Sequence, residues 1–397
     1  MIKECCICKS KDVEKVLDIP FRDILGKPSG QTWNPSIAIC KQCGFIFQQN
    51  PFTEDELENR YKNLSKFEFD SKDYIPTGDD DYSKRCLRQK HFLQESIGDF
   101  NSILEVGAAS GYNLSLYRKE KIVYGVEPSN NNCKLAKRLY DVDMFNGMFA
   151  DFIKSDKVAD NGYDLIFTSM VLEHIVNPYE FISQCANICN KYFFVEVPAM
   201  DYKFVDEPFG MICEEHVNLF TFEGLNSLMN AAGFDLLNAE ICFEPSTRLP
   251  AGYPSYQTVW IKTDKRTILK KYTQNSLLVF NAYIEANTIE LHKVEDKINQ
   301  IPDTEKLALW GAGHHLSMLL ANTCLANKNI VRVFDSDLRK RGQKIMNCPI
   351  GPFNEDDVEA GQIDSILITT YVAQKAIMKF LSNERLQVKV YTLYDNI

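Results

Sequence analysis

Between Ser102 and Val197 the sequence alternates short apolar runs with segments of helical spacing, and no other feature of its 397 residues restricts the fold as much. Ile103–Val106, Val123–Val126, Leu165–Thr168 and Phe193–Val197 are short, predominantly apolar runs, the mark of parallel strands covered on both faces. Helical segments fall between them at Asn113–Glu120 and Asn131–Tyr140. The pattern predicts an open, doubly wound α/β sheet, in which ligands bind beyond the carboxyl ends of the strands. A polar loop is predicted from Tyr74 to Tyr82, ahead of a helix over Cys86–Ile97. A helix near Phe222–Ala232 and β-like runs at Leu236–Cys242 and Thr258–Lys262 complete the unit.

The turn after the first of these strands is Gly107-Ala108-Ala109-Ser110-Gly111, and a helix is predicted from about Tyr112. Residues this small let the backbone approach a ligand closely at a helix N-terminus. Glu127 ends the next strand, where a carboxylate can accept both hydroxyls of a ribose. That layout fits a nicotinamide dinucleotide or S-adenosylmethionine. Two details favour the latter. Glu105 stands on the strand before the loop in an E-x-G-x-x-x-G pattern, and Tyr163-Asp164-Leu165-Ile166-Phe167 leads into Val171-Leu172-Glu173-His174-Ile175.

These segments, "LEVGAASG", "YGVEPS" and "YDLIFTSMVLEHI", resemble the successive motifs of class I methyltransferases, in order and spacing. The resemblance implies that Gly107, Ala108, Ala109 and Gly111 line S-adenosylmethionine and that Glu127 holds its ribose. It also implies Glu105 near the methionine end and Phe149 near the adenine. Ala109 stands where the middle glycine of the loop is usual.

Near the start, Cys5-Cys6-Ile7-Cys8 and Cys40-Lys41-Gln42-Cys43 contain two C-x2-C pairs. Cys5, Cys8, Cys40 and Cys43 supply the four soft ligands that tetrahedral zinc requires, with Cys6 a spectator. Four thiolates leave no open coordination position, so the expected role is structural. Apart from these knuckles, residues 1–60 read as short and irregular.

Of six histidines, two stand in informative places. His216, in Cys213-Glu214-Glu215-His216-Val217-Asn218, follows the strand Phe193–Val197 and is placed to act as a general base beside Glu215. His174 follows Leu165–Thr168 and is a weaker catalytic candidate that also fits a pocket-shaping role. The whole order of segments looks like that of the sugar C-methyltransferases, which act on nucleotide-linked 4-keto deoxysugars. In that resemblance Glu215 and His216 match a Glu-His pair, and the His removes the proton beside the ketone. The family also implies a tyrosine in the lead-in loop, here Tyr82 or else Tyr74. Another tyrosine is expected three residues before the histidine, where this chain has Cys213.

The implied organisation is a zinc-binding module at 1–60, a cofactor-binding core at 61–262, a helical connector at 263–303 and a Rossmann-like α/β domain at 304–397. In the last, Leu307–Trp310 is a predicted strand, Gly311-Ala312-Gly313 a turn, His314–Leu325 a helix, and Val331–Phe334 and Ser365–Thr369 further strands. Asp335 ends a strand there, but Leu316 replaces the third glycine of a dinucleotide fingerprint, so no second cofactor is expected. His314 and His315 read as loop or cap residues.

The net charge of -10 argues against nucleic acid as a partner. No apolar region follows Lys3 as in a signal peptide, and no apolar run spans a bilayer, so a cytoplasmic location without membrane attachment is expected. Thirteen cysteines then read as reduced thiols rather than a disulfide framework. Two competing functions remain: O- or N-methylation of a related acceptor, and a non-enzymatic assembly protein that binds zinc and the cofactor.

Overall fold

The computed structural model describes residues 2–25, 30–63, 75–202, 207–244, 253–267, 273–383 and 388–395. Among them the strands assemble into sheets of seven, six and four strands and a two-stranded ribbon. Among the described residues no helix is long and apolar enough to cross a membrane.

The seven-stranded sheet runs from edge to edge as Phe234–Glu244, Tyr253–Lys262, Cys189–Pro198, Tyr163–Ser169, Ser102–Val106, Ile122–Glu127 and Met144–Asn146. Its last five strands are parallel, and the Tyr253–Lys262 strand enters antiparallel beside Cys189–Pro198. The central strands carry continuous apolar runs because both faces are covered. Ile166, Phe167, Phe193 and Phe194 have no exposed surface, and Phe167 stacks on Phe194 at 4.2 Å between ring centroids.

Several predicted elements shift. The helix expected at Cys86–Ile97 begins five residues earlier and runs Asp81–Ser96, because the Asp80 carboxylate caps it by accepting from the Ser83 backbone N–H. Tyr82 therefore lies in the first helical turn rather than in a loop, while Tyr74 lies outside the described residues. The helix expected at Asn113–Glu120 shrinks to Tyr112–Ser115 and dissolves into turns. The connector predicted at 263–303 carries the helix Thr273–Asn299. The helix His314–Asn322 stops short of Leu325, where a tighter turn, Cys324–Asn327, follows.

Residues 1–60 are not irregular. Val13–Asp18, Ser36–Cys40 and Ile46–Gln48 pair antiparallel, and the fourth strand of their sheet, Asn218–Leu219, comes from far along the chain. Asn218 faces Phe47 and Leu219 faces Ile46. Cys5, Cys43 and Phe45 share one apolar cluster with Leu104, Val195 and Trp260. Ile19 and Phe21 share another with Phe280, Leu307 and Leu316. The N-terminal segment thus packs against both larger sheets, and hydrogen bonds fix it to the later one: Ser317 Oγ donates to the Asp23 carbonyl at 3.3 Å and Asn322 Nδ2 to that of Pro20 at 2.8 Å.

The six-stranded sheet runs Lys344–Ile345, Cys348–Gly351, Ile330–Phe334, Leu307–Trp310, Ser365–Ile368 and Lys389–Thr392. All its pairings are parallel except that of Lys344–Ile345 with Cys348–Gly351.

Candidate active site and cysteine cluster

The loop after Ser102–Val106 is shaped by positive backbone angles that few side chains tolerate. Gly107 has φ 76° and Gly111 φ 75°. A Cβ on Gly107 would stand 2.6 Å from Val171 Cγ2, and one on Gly111 would stand 2.8 Å from Ala136 Cβ. Both positions therefore demand glycine on two grounds. Ala109, in place of a third glycine, also adopts a positive φ of 46°. Its N–H donates to Glu127 Oε2 at 2.9 Å, while the Ser129 N–H donates to Oε1 at the same distance. The strand-end carboxylate and the small-residue loop are thus joined directly. Gly107 and Ala108 both donate to the Val126 carbonyl, which holds the loop against the strand carrying Glu127.

Glu105 lies beneath this loop and is 4% exposed. Asn113 Nδ2 donates to its Oε1 at 3.1 Å, and Oε2 has no hydrogen-bond partner among the described residues. Burial, reinforced by the Glu127 charge, pushes its pKa up to about 8. Tyr82 sits over the same region. Its ring is 6.4 Å from that of Tyr112, and its hydroxyl hydrogen-bonds Ser110. Phe149 is buried against Phe181, with ring centroids 4.8 Å apart.

These features fit S-adenosylmethionine. A glycine-walled turn admits backbone approach, a strand-end carboxylate carries the ribose chemistry, and an orphaned buried oxygen on Glu105 awaits a polar partner.

Beyond the strand Tyr163–Ser169, a tight turn carries Leu172–His174. Its Glu173 is 2% exposed, Oε2 has no partner among the described residues, and burial raises its pKa to about 8. The loop bearing His216 is stitched to this turn. The His174 Nδ1–H donates to the Glu215 carbonyl at 3.0 Å. The Asn218 amide donates to the Leu172 and Ile175 carbonyls at 2.9 and 2.7 Å. The His216 Nδ1–H donates to the Met211 carbonyl at 2.9 Å. A carbonyl can only accept, so each ring carries a hydrogen on Nδ1, and in its neutral form the lone pair is on Nε2. The two rings meet edge to face at 5.1 Å. Cys213 contributes its backbone here: its carbonyl accepts from Gln48 Nε2 at 2.9 Å.

A buried polar network escaped the sequence reading. Glu196, 1% exposed in the strand Cys189–Pro198, accepts from Arg88 Nη2 at 2.8 Å, from Ser255 Oγ at 2.7 Å and from Gln89. Burial acts to raise its pKa, but Arg88, Arg85, Gln89 and Ser255 outweigh that and hold it below the usual range. The available signal was one glutamate inside the otherwise apolar run Phe193-Phe194-Val195-Glu196-Val197.

In the N-terminal module the sulfurs of Cys5, Cys8, Cys40 and Cys43 all lie within 4.8 Å of one another, and Cys6 is outside the group. Cys5 and Cys43 are 3.5 Å apart and Cys8 and Cys40 3.4 Å. Four thiolates on one zinc ion would stand about 3.8 Å apart, so the donor set fits the metal. Cys5 is pushed well above the ordinary thiol range, first by hydrogen bonding with Cys40 and Cys43 and then by burial. Only a cation lets all four sulfurs ionise together.

The C-terminal turn Gly311-Ala312-Gly313 repeats the joining motif: the Ala312 N–H donates to Asp335 Oδ2 at 2.8 Å. Lys340 Nζ already occupies that same oxygen at 2.7 Å. His314 Nε2 lies 3.2 Å from Glu207, and His315 hydrogen-bonds the Tyr394 hydroxyl.

Residues 79–239 match a family described as a methyltransferase domain. No curated protein matches the chain. Among solved structures, the chain is similar to the 1,6-didemethyltoxoflavin-N1-methyltransferase of Burkholderia thailandensis, at 16% identity and a TM-score of 0.41 over 58% of this chain and 96% of that one. It is also similar to the magnesium protoporphyrin IX methyltransferase of Synechocystis, at 12% identity and a TM-score of 0.40 over 53% and 100% of the two chains. A third is a methyltransferase from Archaeoglobus fulgidus, at 16% identity and a TM-score of 0.37 over 45% and 93%. Residues 79–239, which carry the glycine-walled loop, the strand-end glutamate and most of the doubly wound sheet, are thus similar to a methyltransferase domain.

Proposed function

We propose that the protein methylates carbon on a nucleotide-linked keto-deoxysugar, with His216 as the base. The observation that carries this reading is the pair His174 and His216, held face to edge beyond the carboxyl ends of the strands, each with Nδ1 fixed on a backbone carbonyl. An imidazole oriented in this way keeps Nε2 ready to accept a proton.

S-adenosylmethionine supplies an electrophilic methyl group when bound. Gly107, Ala108, Ala109 and Gly111 would pass beside it, Glu127 would accept its ribose hydroxyls, and Glu105 would sit toward the methionine end, with Phe149 toward the adenine. A ketone's neighbouring carbon becomes a nucleophile once it loses a proton. His216 Nε2 takes that proton, the C–H electrons become the enolate double bond, and the negative charge moves to oxygen. Glu215 stabilises the imidazolium, His174 shapes the opposite wall, and Tyr82 closes the cofactor side. Proximity in a site without bulk water supplies most of the remaining acceleration.

Zinc on Cys5, Cys8, Cys40 and Cys43 has a structural role in this reading. The segment 304–397 acts as a Rossmann-like unit without its own cofactor, over a helical connector at 263–303 and beside the core at 61–262. The Lys340 ion pair on Asp335 favours that view, since the carboxylate is already neutralised.

The test is solvent exchange. A keto-sugar nucleotide incubated with the enzyme in deuterated water, without the methyl donor, should gain deuterium beside its ketone, and His216→Ala should abolish the gain. No exchange, with full methylation by His216→Ala, would overturn the carbon reading in favour of an oxygen or nitrogen acceptor.

A further inference from the structure

Glu173 is the orphaned carboxyl of this site: it lies 2% exposed, and its Oε2 has no partner among the described residues. We propose that Glu173, His174 and His216 bind a first-row divalent cation such as Zn2+, Fe2+ or Co2+, separate from the four-cysteine site.

Three observations converge. One donor atom from each side chain falls within 4.8 Å of the other two. Glu173 Oε1 and His174 Nε2 stand 3.8 Å apart, and two ligands on one ion at about 2.1 Å each need only close by about half an ångström. Both imidazoles also donate Nδ1–H to a backbone carbonyl, the outer contact that metal-bound histidines usually make, which presents the Nε2 lone pair to an ion. The scaffold is rigid, because the Asn218 amide brackets the turn by binding carbonyls on both sides of Glu173 and His174. Two imidazoles and one carboxylate suit a borderline cation better than Mg2+ or Ca2+, and three protein ligands leave positions open for an oxygen of the acceptor.

The proposal goes beyond the base reading and limits it. A nitrogen bound to a cation cannot take a proton, so His216 serves as base only in chains whose site is free of metal.

Cobalt titration of the full-length protein separates the two sites. Cobalt on cysteine gives a thiolate charge-transfer band in the near ultraviolet; cobalt on nitrogen and oxygen gives only weak visible bands. The expected result is about two ions per chain, one accompanied by the thiolate band and one without it. Glu173→Gln and His216→Asn should each lose the second ion and keep the thiolate band, which also reports that the variants are folded. Saturation of the wild type at one ion, entirely with the thiolate band, would overturn the proposal, as would variants that retain both ions. Neither readout involves methyl transfer. Failure of the deuterium exchange leaves the metal count intact, and a one-ion result leaves the base reading standing.

Discussion

The Gln48 side chain reaches across the fold and donates its amide hydrogens to the backbone carbonyls of Cys213 and His216, at 2.9 and 2.8 Å. Gln48 is fully buried, and its backbone N–H also donates to the Val217 carbonyl at 2.8 Å. One residue of the N-terminal sheet therefore sets the path of the His216 loop.

Gln48→Ala removes both side-chain bonds to the Cys213 and His216 carbonyls. A stability loss of about 2–4 kcal/mol is expected, measured by urea unfolding. Methylation should fall further than binding of S-adenosylhomocysteine, because the Gln48 amide bonds the His216 loop and not, among the described residues, the cofactor loop. Equal losses in both would show that the loop is not what Gln48 positions.

The cofactor loop offers a pair of opposite substitutions. Gly111→Ala adds a Cβ against Ala136 at a left-handed backbone, so a loss of about 2–4 kcal/mol and of S-adenosylhomocysteine binding is expected. Ala109→Gly relieves a left-handed alanine and should raise stability by about 0.5 kcal/mol, the strain relief being partly offset by glycine's greater unfolded freedom. A differential melting scan of the cofactor-free protein checks both signs.

Glu105 makes stability depend on pH. Its pKa is near 8 when folded and in the ordinary carboxyl range when unfolded, so the folded state holds a proton that the unfolded chain releases. The contribution is complete below about pH 4.5 and fades as pH rises through about 8. Glu105→Gln lacks this slope. The melting temperature of the variant minus that of the wild type should therefore increase from pH 5 to pH 8.5 in the cofactor-free protein. A difference independent of pH would contradict the assignment.

Removing the zinc proposed for the cysteine cluster should act at a distance. Cys5, Cys8, Cys40 and Cys43 anchor the sheet whose outer strand is Asn218–Leu219. Strong chelation, or Cys40→Ser, should lower the melting temperature and reduce methylation together. Amide exchange should show the loss of protection spreading to residues 217–219, and protection unchanged there would break the connection.

The parallel strands were legible because residues covered on both faces are apolar without alternation, as in Leu165-Ile166-Phe167. The small residues from Gly107 to Gly111 were legible because steric demand leaves so few choices. Strands such as Ile46–Gln48 and Asn218–Leu219 were not, since two or three residues carry no periodicity and their pairing spans the chain. The carboxylates of Glu173 and Glu196 were missed because a buried charge looks like any other glutamate until its neighbours are known. In Asp79-Asp80-Asp81 a capping carboxylate looks the same as loop residues, which hides the start of the helix that holds Tyr82.

The pairing of Asn218 and Leu219 with Phe47 and Ile46 has a consequence for how such a chain can change over generations. The cysteine-bearing segment is not a bead on a string that can be exchanged or trimmed at a junction. Removing it would strip the His216 loop of its neighbour and leave the backbone of Asn218 and Leu219 without its pairing strand. The two parts must be inherited as a unit, and a graft that brings one without the other should yield a chain that aggregates before it loses specificity.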